Sequence, residues 1–260
     1  MGAFGSTAAR HLPDAELYYI NNRKPRAEHV QAIFRVSGRV PELWHADTGV
    51  IEPISYRLQG DHTLVPLALE PSDAVFVVFR RPATASAVQV PDDVRTALAT
   101  LEGPWSLSFQ PGHGAPAQAQ FDSLHSWSTQ ENPGIKYFSG TASYHKTLGA
   151  PTVWFGKSQR LELDLGNVSK IAQVLVNGHD LGILWKVPYR IDLTSVLHAG
   201  INQLEIRITN LWVNRLIGDR QPGATAVTFT TFNPYQADSP LLESGLLGPV
   251  TVSAVKSTAH

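Results

Sequence analysis

The stretch from Leu161 to Asp219 reads LELDLGNVSKIAQVLVNGHDLGILWKVPYRIDLTSVLHAGINQLEIRITNLWVNRLIGD. Leu161, Leu163 and Leu165 alternate with Glu162 and Asp164, and Leu204, Ile206 and Ile208 alternate with Glu205, Arg207 and Thr209. A period of two with one apolar and one polar face is the pattern of an antiparallel strand with one side in a core and the other in water. Asn177-Gly178 sits between VLV and DLGIL. Both residue types tolerate positive φ, so the pair predicts a tight hairpin turn. Asp192–Leu197 predicts one helical turn, capped by Asp192 or Thr194.

Working outward, GPWSLSF, GTASYHKTL, RLELDLG, KIAQVLVNG, LGILWKV, YRIDLT, NQLEIRITN and GPVTVSAV predict about eight strands between residues 101 and 256, with PGHGAPAQAQ as a low-complexity loop. That number of strands in roughly 150 residues fits a jelly-roll sandwich. ELYYINNR, HVQAIFRVS, PELWHA, ISYRLQ, HTLVPLALE and AVFVVFRR predict a smaller sandwich over residues 14–82. Between them PATASAVQVPDDVRTALAT loses the strand period. It reads as a linker over 83–100 with one helical turn from Asp92. The expected fold class is all-β: two β-sandwich domains, the second a jelly roll.

Composition agrees. Of 260 residues, 43% are hydrophobic, enough for a core, while 17% are charged, below the usual quarter, and 20 Gly and 18 Pro supply turns. A net charge of −1 without a clustered basic surface argues against nucleic acid as a partner. No run of about 18 apolar residues is present to cross a membrane as a helix. Without cysteine there is no disulfide, thiolate metal site or cysteine nucleophile. The start, MGAFGSTAARHLPDAE, lacks the apolar stretch of a signal peptide and reads as a truncated start leading into a domain.

Ten histidines never fall at i, i+2 or i, i+4, and no HExxH occurs, so no metal site is expected. No G-x-S-x-G elbow, P-loop or dinucleotide fingerprint occurs either. Carboxylates remain: Glu42, Asp47, Glu131, Asp219 and Glu243 lie in turn-like or loop-like settings. Glycoside hydrolysis needs two facing each other across the sugar; most exposed carboxylates only solvate a surface. Five of the six tryptophans fall in the second block. Trp105 and Trp154 read as core fillers. Trp185, Trp212, Asn214, Arg215 and Asp219 combine flat apolar faces with hydroxyl-binding groups, and read equally as a sugar site or as structure.

Gly103-Pro104-Trp105, Val176-Asn177-Gly178, Pro188-Tyr189, Asp192-Leu193-Thr194 and Gly200-Ile201-Asn202-Gln203-Leu204 together resemble the sugar-binding jelly-roll domain of family 2 glycoside hydrolases. Three further segments resemble the C-terminal region of the α-L-rhamnosidases of glycoside hydrolase family 106. They are Phe34–Gly49, Tyr137–Ala142, and Asn214–Asp219 with Ser244–Val250. The resemblance covers about residues 16–254. It implies a catalytic barrel, ahead of this region, that bears the catalytic carboxylates and a calcium-dependent sugar site. The chain is expected to lack that barrel, so no catalytic residue carries over. It implies that Asn214, Arg215 and Asp219 face a ligand or the barrel, because in family 2 a jelly-roll loop reaches the neighbouring active site. The related enzymes are periplasmic or extracellular, and sandwiches of this kind can hold a structural calcium, although no Asp-rich loop marks one here.

The expected role is carbohydrate binding, without a cofactor, with Trp185 and Trp212 stacking and Asn214, Arg215 and Asp219 reading hydroxyls. One alternative is a compact glycosidase that pairs Asp219 with Glu243 or Glu42. Another is a structural piece that self-associates or packs on a catalytic partner chain.

Overall fold

In a computed structural model that describes residues 8–156 and 159–257, the period-two segments are strands, and their apolar members point into two separate cores. The chain divides into two compact units at Asp92/Asp93.

The first unit packs two antiparallel sheets. One runs in the order Ala8–His11, Glu16–Asn21, Ala74–Pro82, Arg39–His45, Ile51–Pro53, and the other in the order Glu28–Phe34, His62–Leu69, Tyr56–Gln59, Ala87–Val88. Val65, Leu67 and Leu69 from one sheet and Val75, Val77 and Phe79 from the other share the core. The Tyr18, Phe34 and Phe79 rings meet there edge to face, with centroids 4.8–6.0 Å apart. That geometry suits the positive ring edge and negative ring face.

The second unit faces a six-stranded sheet with a four-stranded one. The six run Gln118–Phe121, Trp105–Phe109, Thr141–Ala150, Gly200–Thr209, Ile171–Val176, His179–Leu184; the four run Asp93–Thr100, Thr251–Ser257, Arg160–Asp164, Arg190–Asp192. The two longest strands pair from Thr141 opposite Thr209 to Ala150 opposite Gly200. Leu204, Ile206 and Ile208 from one sheet and Leu161, Leu163 and Val252 from the other are buried in a common core. Each such side chain contributes about 1.5–3 kcal/mol by leaving water. Trp105, Trp127 and Trp154 lie in this core. The Trp127 and Tyr144 rings stack 6.3 Å apart, and Trp127 Nε1 donates to the Tyr144 hydroxyl at 2.6 Å.

Asn177 and Gly178 take φ of 53° and 81° in the hairpin joining Ile171–Val176 to His179–Leu184. Asn177 does more than turn. Its Nδ2 donates to the Val196 carbonyl and Asn202 Oδ1, and its Oδ1 accepts from Gln203 N–H. At Asp192–Leu197 there is a hydrogen-bonded turn rather than a helix. Asp192 Oδ1 accepts from Thr194 N–H, whereas the Thr194 hydroxyl accepts from Leu161 N–H in the sheet. Residues 83–100 differ from the expected linker and helical turn. Ala87–Val88 pairs with Tyr56 and Arg57, and Asp93–Thr100 is a strand beside Thr251–Ser257. Leu98 and Ala99 pack on the core, and the small Ala and Thr side chains around them weaken the apolar alternation that would have marked a strand.

Candidate functional site

The Gly200–Thr209 strand ends at Asn210, whose side chain fastens the exit: Oδ1 accepts from Gly140 N–H and Nδ2 donates to the Phe138 carbonyl. The chain then turns into a short helix, Val213–Gly218, with Trp212 as its N-terminal cap residue. Asn214, Arg215, Ile217 and Gly218 face inward, while Trp212 is 52% exposed. Only glycine fits at 218, since a Cβ there would stand 2.4 Å from Arg215 Nη2 and 2.5 Å from Tyr137 Cβ.

After Asp219 the chain has no helix or strand until Leu246. A connection this long inside a compact unit is uncommon and is usually functional. Its order comes from side chains. Asn214 Nδ2 donates to the Leu242 carbonyl at 2.8 Å and its Oδ1 accepts from Leu242 N–H at 2.9 Å. Asn233 Nδ2 donates to the Leu216 carbonyl and Gln221 Nε2 to the Ala237 carbonyl. Ser126 Oγ accepts from Ser244 N–H. Asp219 holds the middle of the loop. Its Oδ1 accepts from Val227 N–H at 3.1 Å, and its Oδ2 from Thr228 N–H at 3.0 Å and from the Thr228 hydroxyl at 2.6 Å.

Arg215 Nε stands 2.9 Å from Asp219 Oδ1, with both side chains 7% exposed. The Nε–H is not aligned for a hydrogen bond, so charge attraction carries the contact. Burial alone would raise the Asp219 pKa. The Thr228 hydroxyl, the two backbone N–H donors and the Arg215 charge outweigh it, and the carboxyl is held below the ordinary Asp value.

The loop forms one wall of a cleft of about 490 Å³, within the range of small-molecule sites. Val227, Thr228, Phe229 and Thr230 line that side; His113, Trp212 and Leu216 line the other. The Trp212 and His113 rings stack 5.6 Å apart at 25°. His113 is fixed in turn, because its Nδ1 lies 2.8 Å from the Ser139 carbonyl and so carries the donated hydrogen. Phe229 is 91% exposed.

The structure gives the five expected site residues different settings. Trp212 lies in the cleft. Asn214, Arg215 and Asp219 stand behind it, engaged with the helix and loop. Trp185 is exposed just past the His179–Leu184 strand and does not line the cleft. Glu243 is exposed beside a shallow depression with Lys170 and Asn210. Glu42 lies in the other unit, 2% exposed, between Arg80 Nε at 2.8 Å and Arg81 Nε at 2.7 Å. Among the described residues no group of three or more His, Cys, Asp or Glu could hold a metal, and no helix is long and apolar enough to cross a membrane.

His113 and Phe229 were not anticipated from sequence. His113 sits in the expected low-complexity loop. Phe229 sits in AVTFTTF, whose alternation mimics a strand, although Pro222-Gly223 and Asn233-Pro234 bracket it as a loop.

A family model described as α-L-rhamnosidase, of glycoside hydrolase family 106, matches residues 7–58. A solved rhamnosidase from Novosphingobium sp. PP1Y is 44% identical, superposes with a TM-score of 0.91, and is matched over 98% of this chain. The chain is a rhamnosidase-like region. It spans 24% of that solved protein. A putative β-glucuronidase of Formosa agariphila is 41% identical over 179 residues, 60% of this chain and 15% of that protein. The rhamnosidase-like region is therefore related to glycoside hydrolases as a fragment of their length. Of the three quoted rhamnosidase-like segments, Phe34–Gly49 falls inside the family-model match, in the first unit.

Proposed function

We propose that this region binds carbohydrate as an accessory part of a glycoside hydrolase, and that its second unit is a jelly roll of the sugar-binding type. The observation that carries this is Trp212: a half-exposed indole, fixed by stacking on His113, at the mouth of a cleft walled by a long, side-chain-pinned loop. Such a ring offers the C–H face of a sugar a rigid platform. Trp185 is a second exposed indole of the same kind. Asn214, Arg215 and Asp219 serve the site by fixing the helix and loop that shape it.

The settings of Asp219 and Glu42 speak against either one as a glycosidase acid. A glycosidase acid needs a raised pKa, whereas Asp219 is held ionised by three donors and an arginine. Glu42 is clamped by two arginines in the other unit. A panel of glycosides, including nitrophenyl rhamnoside, galactoside and glucuronide, tests this. The expected outcome is a ligand-dependent rise in melting temperature without release of nitrophenol; turnover that survives rigorous purification would overturn it.

A second reading, that the loop packs on the remainder of a longer enzyme, is favoured by Phe232, which is 75% exposed yet does not line the cleft. Association with a separately expressed catalytic portion, lost in Phe232→Ser, would support it.

A further inference from the structure

The first unit carries a groove of its own, about 490 Å³, on the outer face of the sheet ordered Glu28–Phe34, His62–Leu69, Tyr56–Gln59, Ala87–Val88. Strand alternation builds it. Val30, Ala32, Val65, Leu67, Tyr56 and Leu58 belong to the core, so the residues between them face outward. The ladder sets Leu64 between Ile33 and Arg57, and Gln31 opposite Pro66. Leu64 and Pro66 floor the groove, and Gln31, Arg57 and Gln89 rim it. Gln31 and Gln89 stand on opposite flanks, three strand spacings or about 14 Å apart, a span longer than one sugar ring.

Among the described residues the Gln31, Arg57 and Gln89 side chains have no hydrogen bond or ion pair. The Ser55 hydroxyl beside them is engaged, since it accepts from Val90 N–H and donates to the Val90 carbonyl. The outward positions of the four strands hold Arg57, His29 and His62 but no Asp or Glu. Asp61, in the adjoining turn, is taken up by His62. This face is therefore complementary to negative charge. The Trp212 cleft differs, having no Asp, Glu, Lys or Arg in its lining. A groove with an apolar floor, two amides and one guanidinium matches a ring that has C–H faces, hydroxyls and a carboxylate. The arginine fork takes a carboxylate through two parallel N–H bonds.

We propose that this groove in the first unit binds an acidic oligosaccharide, with Arg57 pairing a uronate carboxylate and Gln31 and Gln89 bonding hydroxyls above the Leu64–Pro66 floor. The choice of an anion rests on this face alone. The choice of a saccharide over an acidic peptide rests on the carbohydrate-binding reading of the region.

The test is calorimetric titration of the intact chain with tetragalacturonate and tetramannuronate, each beside its fully methyl-esterified form, which keeps the rings and removes the charge. At least one acid should bind about tenfold or more tightly than its ester, and added sodium chloride should narrow that gap. Arg57→Gln should abolish the preference, and the exposed, unbonded side chain makes a folding defect unexpected. Trp212→Ala should leave the preference unchanged. Failure of both acids to bind, or equal affinity of each acid and its ester, would overturn the groove; a nitrophenyl glycoside shift that Trp212→Ala removes would still leave the platform standing. A preference that survives Arg57→Gln would overturn it by placing the acid elsewhere. A polyglutamate peptide that binds as tightly as the acids, and is lost in Arg57→Gln, would overturn the saccharide in favour of an acidic peptide. Acid binding through Arg57 without any shift by the nitrophenyl glycosides would sink the platform alone.

Discussion

Glu42 in the first unit and Asp219 in the second are both carboxylates shielded from water and faced by arginine, but they hold different things. Glu42 bonds Arg80 and Arg81 from the neighbouring strand and Trp44 from its own, so it ties together elements the sheet ladder already joins. Asp219 bonds Val227 and Thr228, eight and nine residues away, and no ladder joins these to the helix. The first ion cluster decorates a sheet, whereas the second builds a wall. The arginines differ as well. Arg80 and Arg81 are 46% and 66% exposed, while Arg215 is 7% exposed.

This contrast predicts unequal consequences. Asp219→Ala strands a buried guanidinium and frees three donors. It should lower unfolding free energy by about 3 kcal/mol or more and remove exchange protection at the Val227 and Thr228 amides. Glu42→Ala leaves two arginines that can turn to water, so chemical denaturation should show a smaller loss, roughly 1–2 kcal/mol. An equal loss in the two variants would break the contrast.

Acid should erode both clusters in the same direction. Burial pushes the Glu42 pKa up, but the bonds from Trp44 and Arg80 and the charges of Arg80 and Arg81 outweigh it, and the net shift is downward, as at Asp219. A folded-state pKa below the unfolded one gives stability that is fully present above the ordinary values, 4.5 for Glu and 3.8 for Asp, and that is lost as pH falls through the folded value. Urea titrations at falling pH should therefore show the gap between wild type and each variant holding down to about pH 4–5 and closing below it. The smallest expected stability effect is at the platform. Trp212→Ala removes a ring that is half buried and stacked on His113 and should lower unfolding free energy by about 1 kcal/mol, while abolishing the ligand-dependent thermal shift.

The same distinction explains what was legible in the sequence. Strands with one buried face announce themselves through Leu161, Leu163 and Leu165 or Leu204, Ile206 and Ile208, because burial on alternate positions is the physical cause of the fold and of the pattern. The Asn177-Gly178 hairpin was legible because positive φ restricts residue type. Asp93–Thr100 was not, since its Ala and Thr residues carry a weak signal. Trp212 was legible as a candidate, but its exposure and the inward roles of Asn214, Arg215 and Asp219 were not. Those depend on which carbonyls and amides a long loop brings back to the helix, and such pairings leave no periodic trace. His113 pairs with Trp212 across 99 positions of chain, a contact made only once the sheets are assembled.

The most direct test of the account is a single titration followed by two readouts: the purified chain mixed with nitrophenyl glycosides, with melting temperature and free nitrophenol measured on the same samples. The account predicts a saturable rise in melting temperature that Trp212→Ala removes, with no nitrophenol released above the buffer rate. Release of nitrophenol that persists through purification and disappears in Asp219→Asn or Glu243→Gln would contradict it and make the region a catalyst in its own right.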